Sequence, residues 1–323
     1  MEQRTELTDI LFPVVFKEIF YDDRGLGGRG SVHIPQSRAL VNRKTGQTLG
    51  IVGKGYRLVT NEEALEFGKQ AFRQLFSVVD LTDMEVFNVI APQSGYYCHI
   101  DLVHKNYRIE AFKKETYWPY IRITNSYNRS KALRFDLGFL RGICTNGVIF
   151  EHAAIKFKFP HTKSLGCQIK FDIDSSKIKR LETEFTNYMT GLDKYLVPRS
   201  LAPPLMCKAL GLQFKINVEN EKRRRAEQDR LAEFKATADE LIAKYYKDLG
   251  GNAYAVFDAV TEYASVPSKA NGHAIGVNSL QTRTGKWIRD FAAAIQQSLQ
   301  LEDYVSDAMP YFQNGKPDVG TTT

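Results

Sequence analysis

No apolar run in this 323-residue chain is long enough to span a bilayer. The opening MEQRTELTDILFPVVF lacks the basic flank and the small-residue cleavage site of a secretion signal. Cysteine is sparse: Cys98, Cys144, Cys167 and Cys207 are scattered, with no CxxC pair. In a chain this long without a secretion signal, that pattern points to free buried thiols rather than a disulfide framework. Together these absences give the expectation of a cytoplasmic protein. With 43% apolar residues, the chain can bury a core without a metal or disulfide staple.

Several chemistries are missing as well. The glycine-rich DDRGLGGRGS at residues 22–31 neither follows a clear strand nor opens a clear helix, so it is read as a loop and not a dinucleotide-binding turn. TLGIVGKG is not a phosphate-binding P-loop, because Thr48 stands where the first glycine belongs and Gly55 where a Ser or Thr would hold magnesium. Cys98, His99, Asp101 and His104 cluster in sequence, but on a strand Cys98 points opposite to His99, and the spacing fits no closed zinc site. There is no GxSxG, and Cys144 in GICTNG reads as a small core residue. No cofactor is expected.

Positive charge is abundant, and it is regional. Residues 102–170 hold 13 Lys and Arg against 4 Asp and Glu, a local +9, while the whole chain carries only +7. Such a patch is the sequence footprint of a polyanion partner. The four acids there, Glu110, Glu115, Asp136 and Glu151, are too few for two-metal cleavage, which needs several carboxylates held close together. The balance favours holding a phosphate backbone over cutting it. A second cationic run, Lys222 to Arg225, sits among Glu219, Glu221, Glu227 and Asp229 and reads as a salt-bridged solvent face.

Periodicity organises the chain into an α+β fold. A hairpin is expected over 37–53, turning at Lys44–Gln47. Thr60 with Glu63 forms a capping box that opens a helix, whose apolar face is Leu65, Phe72, Leu75 and Phe76. Strands are expected at 84–91, 96–103, 120–124, 132–140 and 147–159, in a mixed or antiparallel sheet. From Asp174 the pattern turns helical. Helices are expected from Ser175 or Ser176, over 221–249 with Gly250 as the C-cap, over 253–263 and over 280–299, with a proline-rich joint at 197–205. The expected organisation is a β-rich core at 1–172, a helical region at 173–300 that either packs on the core or serves oligomerisation, and a flexible tail at 301–323.

The site expectation follows from strand alternation. In YIRIT, Ile121 and Ile123 point into the core, and Tyr120, Arg122 and Thr124 point out. In ALRFDLGFLR, Leu133, Phe135, Leu137 and Phe139 line one face, with Arg134 and Asp136 on the other. The polar turn between them carries Tyr127, Arg129 and Lys131 to a tip. Cations interleaved with aromatics suit single-stranded nucleic acid, whose unpaired bases are free to stack. The phosphate-binding set is Lys113, Lys114, Arg122, Arg129, Lys131, Arg134 and Arg141. The stacking set is Tyr127, with Tyr117 or Trp118.

Four stretches, GKGYRLVTNEEALEF, ITNSYNRSKALRF, LRGICTNG and AVFDAVTEYAS, resemble the phage/plasmid-like proteins of bacteria, whose shared domain is catalogued as of unknown function. The similarity spans roughly residues 45–300. It is carried by the T-N-S turn, by Arg141, Cys144 and Asn146, and by the helix Asp258–Tyr263, where Asp258 replaces a usual asparagine. The resemblance implies a protein of a phage, prophage or plasmid in a bacterial cytoplasm, and it transfers no catalytic residues. The leading expectation is a non-enzymatic protein that binds single-stranded DNA, for recombination, annealing or DNA protection. The alternative is an anti-defence or regulatory protein that binds and inhibits a host or phage protein.

Overall fold

The computed structural model describes residues 5–22, 24, 30–76, 80–110, 116–141, 147–149, 157–165, 169, 175–215, 218–265 and 274–312. The fold is α+β, with antiparallel sheets followed by a helical C-terminal half. The chain divides into two compact units. The first comprises residues 1–110, 116–142 and 149–183; the second comprises 111–115, 143–148 and 184–323. Among the described residues, no helix is long and apolar enough to cross a membrane.

The first unit holds two sheets. A short helix α1 (Leu7–Ile10) leads into the three-stranded sheet β1 (Val14–Asp22), β2 (Ser31–Asn42) and β3 (Thr48–Gly53), in that spatial order. The expected hairpin is present as β2–β3. The third strand, β1, comes from a segment for which no strand was expected, although VVFKEIFYD is rich in the β-branched and aromatic residues that strands favour. The far end of the β1–β2 hairpin exposes Phe20 (53%) and Tyr21 (46%). Of the glycine-rich loop that joins these strands, residues 23 and 25–29 lie outside the described residues.

Helix α2 (Asn61–Phe76) begins with the expected capping box. The Glu63 N–H donates to Thr60 Oγ1 at 3.1 Å, and the Thr60 N–H donates to Glu63 Oε2 at 3.0 Å. Its buried face is Leu65, Phe72, Leu75 and Phe76, as the periodicity requires. The helix lies close on the larger sheet at Gly68, where an added Cβ would stand 2.2 Å from Ile123 Cδ1.

The larger sheet has strand order β10–β8–β7–β5–β4, all antiparallel, where β4 is Met84–Ile90, β5 Tyr97–His104, β7 Thr116–Ser126, β8 Leu133–Arg141 and β10 Phe157–Phe159. Two short strands flank it: β6 (Ile109–Glu110) pairs with β7, and β9 (Gly147–Ile149) pairs with β8. The single long strand expected over 147–159 is described as β9 and β10, and residues 150–156 between them lie outside the described residues.

The helical half contains α3 (Ser175–Lys194), α4 (Ala202–Ala209), α5 (Glu221–Leu249), α6 (Ala253–Ser265), α7 (Ala274–Gln296) and α8 (Leu301–Tyr304). The division between the units falls within α3. In the second unit α6 is buried nearly all round, from Tyr254 and Phe257 to Val260, which marks it as the central helix. Pro203 and Pro204 sit in the first turn of α4, where their missing N–H groups cost nothing. Asn220 caps α5 by accepting from the Arg223 N–H at 3.0 Å. In its basic first turns Arg225 pairs with Glu221, and Arg230 pairs with Glu227 at 3.0 Å. Of the segment expected to be a flexible tail, residues 301–312 are described and 313–323 lie outside the described residues. Leu301, Val305 and Ala308 recur at helical spacing and are buried.

Candidate nucleic-acid interface

The centre of the larger sheet carries a line of buried charge. Asp101 on β5 is the cross-strand partner of Arg122 on β7, and Arg122 is the partner of Asp136 on β8. Partners in an antiparallel sheet share a face, so the three stand in one row. Arg122 Nε donates to Asp101 Oδ1 and Nη2 to Oδ2, both at 2.6 Å. Asn88 Nδ2 on β4 donates to Asp101 Oδ2 at 3.3 Å, and Arg134 Nε donates to Asp136 Oδ1 at 2.6 Å. Burial works against the Arg122 charge; Asp101 beside it prevails and holds the guanidinium above its ordinary pKa.

This row corrects the outward placement of Arg122. Its side chain is 1% exposed and Asp101 accepts from Nε and Nη2 along one edge of the guanidinium. Tyr120 and Thr124, expected beside it on an outer face, are also buried. Alternation correctly sorted residues between the two faces of β7, but both faces are covered. A buried ion pair survives because each charge is desolvated only in the presence of its partner.

The next row toward the strand ends is His99 on β5, Thr124 on β7 and Arg134 on β8. His99 Nδ1 lies 2.8 Å from Thr124 Oγ1. Its Nε2 is buried without a hydrogen-bond partner, as is the Tyr120 hydroxyl. Leaving such an atom open costs about 1–3 kcal/mol. Burial, then the charges of Arg122, Lys131 and Arg134, hold the His99 pKa well below the ordinary imidazole value, so the ring is neutral.

The turn from β7 to β8 is pinned residue by residue. Asn125 Nδ2 donates to the Val59 carbonyl at 3.0 Å and to Asn61 Oδ1 at 2.9 Å. Ser126 Oγ donates to the Lys131 carbonyl at 2.6 Å and accepts from the Lys131 N–H at 3.1 Å, which closes the loop. Tyr127 accepts from the Asn61 N–H at 3.0 Å through its hydroxyl, and its ring centre lies 5.9 Å from that of Phe12. Asn128 Oδ1 accepts from the Ser130 N–H at 3.0 Å. At Gly50 on β3 an added Cβ would stand 2.7 Å from Asn128 Cα, so this sheet braces the turn from behind. The T-N-S motif is therefore a set of anchors.

What the anchors present is Arg129 and Lys131. Arg129 is exposed and left-handed, with φ 64°, a conformation unusual for a residue with a side chain. Lys131 places Nζ 5.2 Å from the centre of the Tyr97 ring. Neither cation has an ion-pair partner among the described residues. Tyr127, expected as the stacking tip, is fully buried as part of the anchor. The aromatic exposed beside the turn is Tyr96 (36%), whose carbonyl accepts the Tyr127 N–H at 2.8 Å.

The remaining expected residues scatter. Arg134 keeps partial exposure while bonded to Asp136. Arg141 is buried at the end of β8, opposite Tyr117, which is buried too. Trp118 is half-buried, with the Arg108 guanidinium 5.6 Å from its ring centre. Lys113, Lys114 and Cys144 lie outside the described residues. One cation that the reading passed over joins the group: Lys158 on β10 is exposed and is the cross-strand partner of Arg134. The alternation of FKF, with Lys158 between two phenylalanines, was the available signal.

The sheet cysteine has no reactive character. Burial pushes the Cys98 thiol up to about 12, and its Sγ donates to Asn61 Oδ1 at 3.2 Å. His104, on the same face as Cys98, is 3.2 Å from the Asp80 carbonyl. Among the described residues, no group of three His, Cys, Asp or Glu side chains could hold a metal ion.

A family model described as a domain of unknown function, DUF932, matches residues 48–289. The chain belongs to that family. The matched span starts at β3 and ends within α7, so the DUF932 region takes in the buried charge row, the pinned turn and most of the helical half. No curated protein and no solved structure matches the chain.

Proposed function

We propose that the protein is a non-enzymatic binder of single-stranded DNA, held on the β7–β8 turn and the adjoining sheet edge. The observation that carries this is the contrast within one turn. Asn125 and Tyr127 are bonded to residues 59–61, and Ser126 and Asn128 close the turn on itself, whereas the Arg129 and Lys131 side chains have no ion-pair partner among the described residues. A rigid turn that presents cations loses little side-chain freedom on binding phosphate. Arg129, Lys131, Arg134 and Lys158 supply the charge. Tyr96 supplies the ring on which a base stacks, taking the role first given to Tyr127. Single strands are favoured over duplex because only they offer an unpaired base to that ring.

The resemblance to phage/plasmid-like proteins gives this binding its setting: the bacterial cytoplasm, and the handling of a mobile element's own DNA during annealing, recombination or protection. Competition between labelled single-stranded DNA and unlabelled duplex of equal length tests the reading. Displacement by duplex at equimolar concentration would count against it.

A second reading, a regulatory or anti-defence protein that binds a host or phage protein, rests on the exposed Phe20, Tyr21 and Val32 of the β1–β2 hairpin. A stoichiometric partner retained from nuclease-treated lysate, and lost on Phe20→Ser with Tyr21→Ser, would favour it.

A further inference from the structure

One row crosses four strands of the larger sheet: His99 on β5, Thr124 on β7, Arg134 on β8 and Lys158 on β10, each the cross-strand partner of the next. Exposure rises along it. His99 is buried at 1%, the Arg134 side chain is 28% exposed, and Lys158, on the edge strand, is open to solvent. Lys131 adds a further cation, tied through its backbone to Ser126 on β7. Two buried carboxylates on this face, Asp101 and Asp136, accept from Arg122 and Arg134.

His99, like the Tyr120 hydroxyl, is a group that this sheet leaves incomplete. One ring nitrogen is matched to Thr124, and Nε2 is buried with nothing bonded to it. Burial keeps the ring neutral, and the charges of Arg122, Lys131 and Arg134 act in the same direction. In the tautomer where the Thr124 hydroxyl donates to Nδ1, the ring's single proton is on Nε2, which is then a donor. A donor beside several cations calls for an anionic acceptor.

We propose that this row is a site for one terminal phosphate of a nucleic-acid strand, with Lys158, Lys131 and Arg134 drawing the group in from the sheet edge and His99 Nε2–H donating to an oxygen. The proposal rests on the nucleic-acid reading above and specifies which part of the strand is recognised. A mid-strand phosphodiester has chain on both sides and cannot bring an oxygen to so deeply buried a ring without carrying both flanks with it. A terminal monoester has one ester bond and three free oxygens. It is also close to a dianion at neutral pH, since its second pKa is about 6.

The test compares single strands of one sequence ending in hydroxyl groups, a 5′-phosphate or a 3′-phosphate, by fluorescence anisotropy at fixed ionic strength. One phosphorylated end is expected to bind about tenfold tighter than the hydroxyl-ended strand, equivalent to about 1.4 kcal/mol. The Lys131→Ala, Lys158→Ala protein should bind every strand more weakly and lose the difference between phosphorylated and hydroxyl ends; a tenfold preference kept in that variant would overturn the placement of the phosphate on this row. Nitrogen-15 NMR of the wild-type histidines should show the His99 Nε2 signal moving with the phosphorylated strand and not with the hydroxyl-ended one. Tight binding of all three strands at equal affinity overturns the end-recognition proposal and leaves the DNA-binding reading standing. Failure of every strand to bind overturns both. Inorganic phosphate that shifts His99 while the strands show no end preference also overturns the proposal, in favour of a site for the free ion.

Discussion

Arg122 and Asp101 face each other across β7 and β5 in a two-pronged ion pair, both contacts at 2.6 Å, with neither side chain more than 3% exposed. The pair ties β7, the central strand of the larger sheet, to β5, and Asp136 extends the charge row to β8. Its energetic character is asymmetric. Formation roughly balances desolvation against attraction, whereas loss of one partner strands the other.

Asp101→Ala is therefore expected to destabilise the protein by about 3–5 kcal/mol. Joint replacement by Asp101→Leu and Arg122→Met should recover most of that loss, because neither member of the pair is then left buried alone and Asp136 keeps Arg134. Urea unfolding midpoints of the three proteins decide this. Equal losses for the single and the double variant would show that the pair does more than neutralise itself.

Tyr127 offers a clean separation of anchor from ligand. Tyr127→Phe removes the hydroxyl that accepts the Asn61 N–H and keeps the ring. It should cost about 1–2 kcal/mol of stability and leave DNA affinity at moderate salt unchanged. Tyr96→Ala should do the reverse, with little change in stability and weaker binding of single strands. Binding and unfolding measured on the same preparations give both readouts.

Two glycines mark close approaches with different consequences. Gly68→Ala drives a Cβ against the Ile123 side chain, whose end can shift, so the expected loss is about 1–3 kcal/mol of stability with binding intact. Gly50→Ala meets the backbone of Tyr127 and Asn128, which cannot yield unless the turn moves. That variant should lose DNA affinity as well as stability. Preserved affinity in Gly50→Ala would show that the pinned turn is not where the strand binds.

Acid sensitivity follows from His99. Burial and nearby cations lower its pKa in the folded protein, so the folded state holds it neutral where the unfolded chain takes up a proton. Below the ordinary imidazole value of about 6.5 the unfolded state binds more protons, and stability falls as pH falls, by up to about 1.4 kcal/mol per pH unit. The contribution is complete above that value and is lost on acidification toward the depressed folded pKa. Urea midpoints at several pH values between 7.5 and 5 should drop more steeply for the wild type than for His99→Gln. Parallel curves would place the acid sensitivity elsewhere.

The fold was largely legible because its signals are local. Thr60 and Glu63 cap a helix three residues apart, and the apolar spacing of α2 and α5 is set by their own turns. Strand alternation sorted Leu133 and Phe135 from Arg134 and Asp136 correctly. What the sequence did not reveal depends on partners far along the chain. Arg122 is buried because Asp101, 21 residues earlier, stands opposite. Tyr127 turns inward because its hydroxyl meets the start of a helix 66 residues away. A charge on an alternating strand looks the same in sequence whether its face is open or covered, so the accessible subset (Arg129 and Lys158 exposed, Lys131 and Arg134 half-buried) emerged only from the packing.

The most direct measurement is the salt dependence of single-strand affinity for the wild-type protein and for Arg129→Ala, Lys131→Ala. The account predicts binding that weakens steeply with salt in the wild type. Removal of two phosphate contacts should weaken it further and flatten the logarithmic slope by about 1.4. Stability should change little, since Arg129 is exposed and Lys131, half-buried beside the Tyr97 ring, has no ion-pair partner among the described residues. Absence of binding at low salt, or a slope identical in the two proteins, would contradict the claim that the β7–β8 turn holds a nucleic-acid backbone.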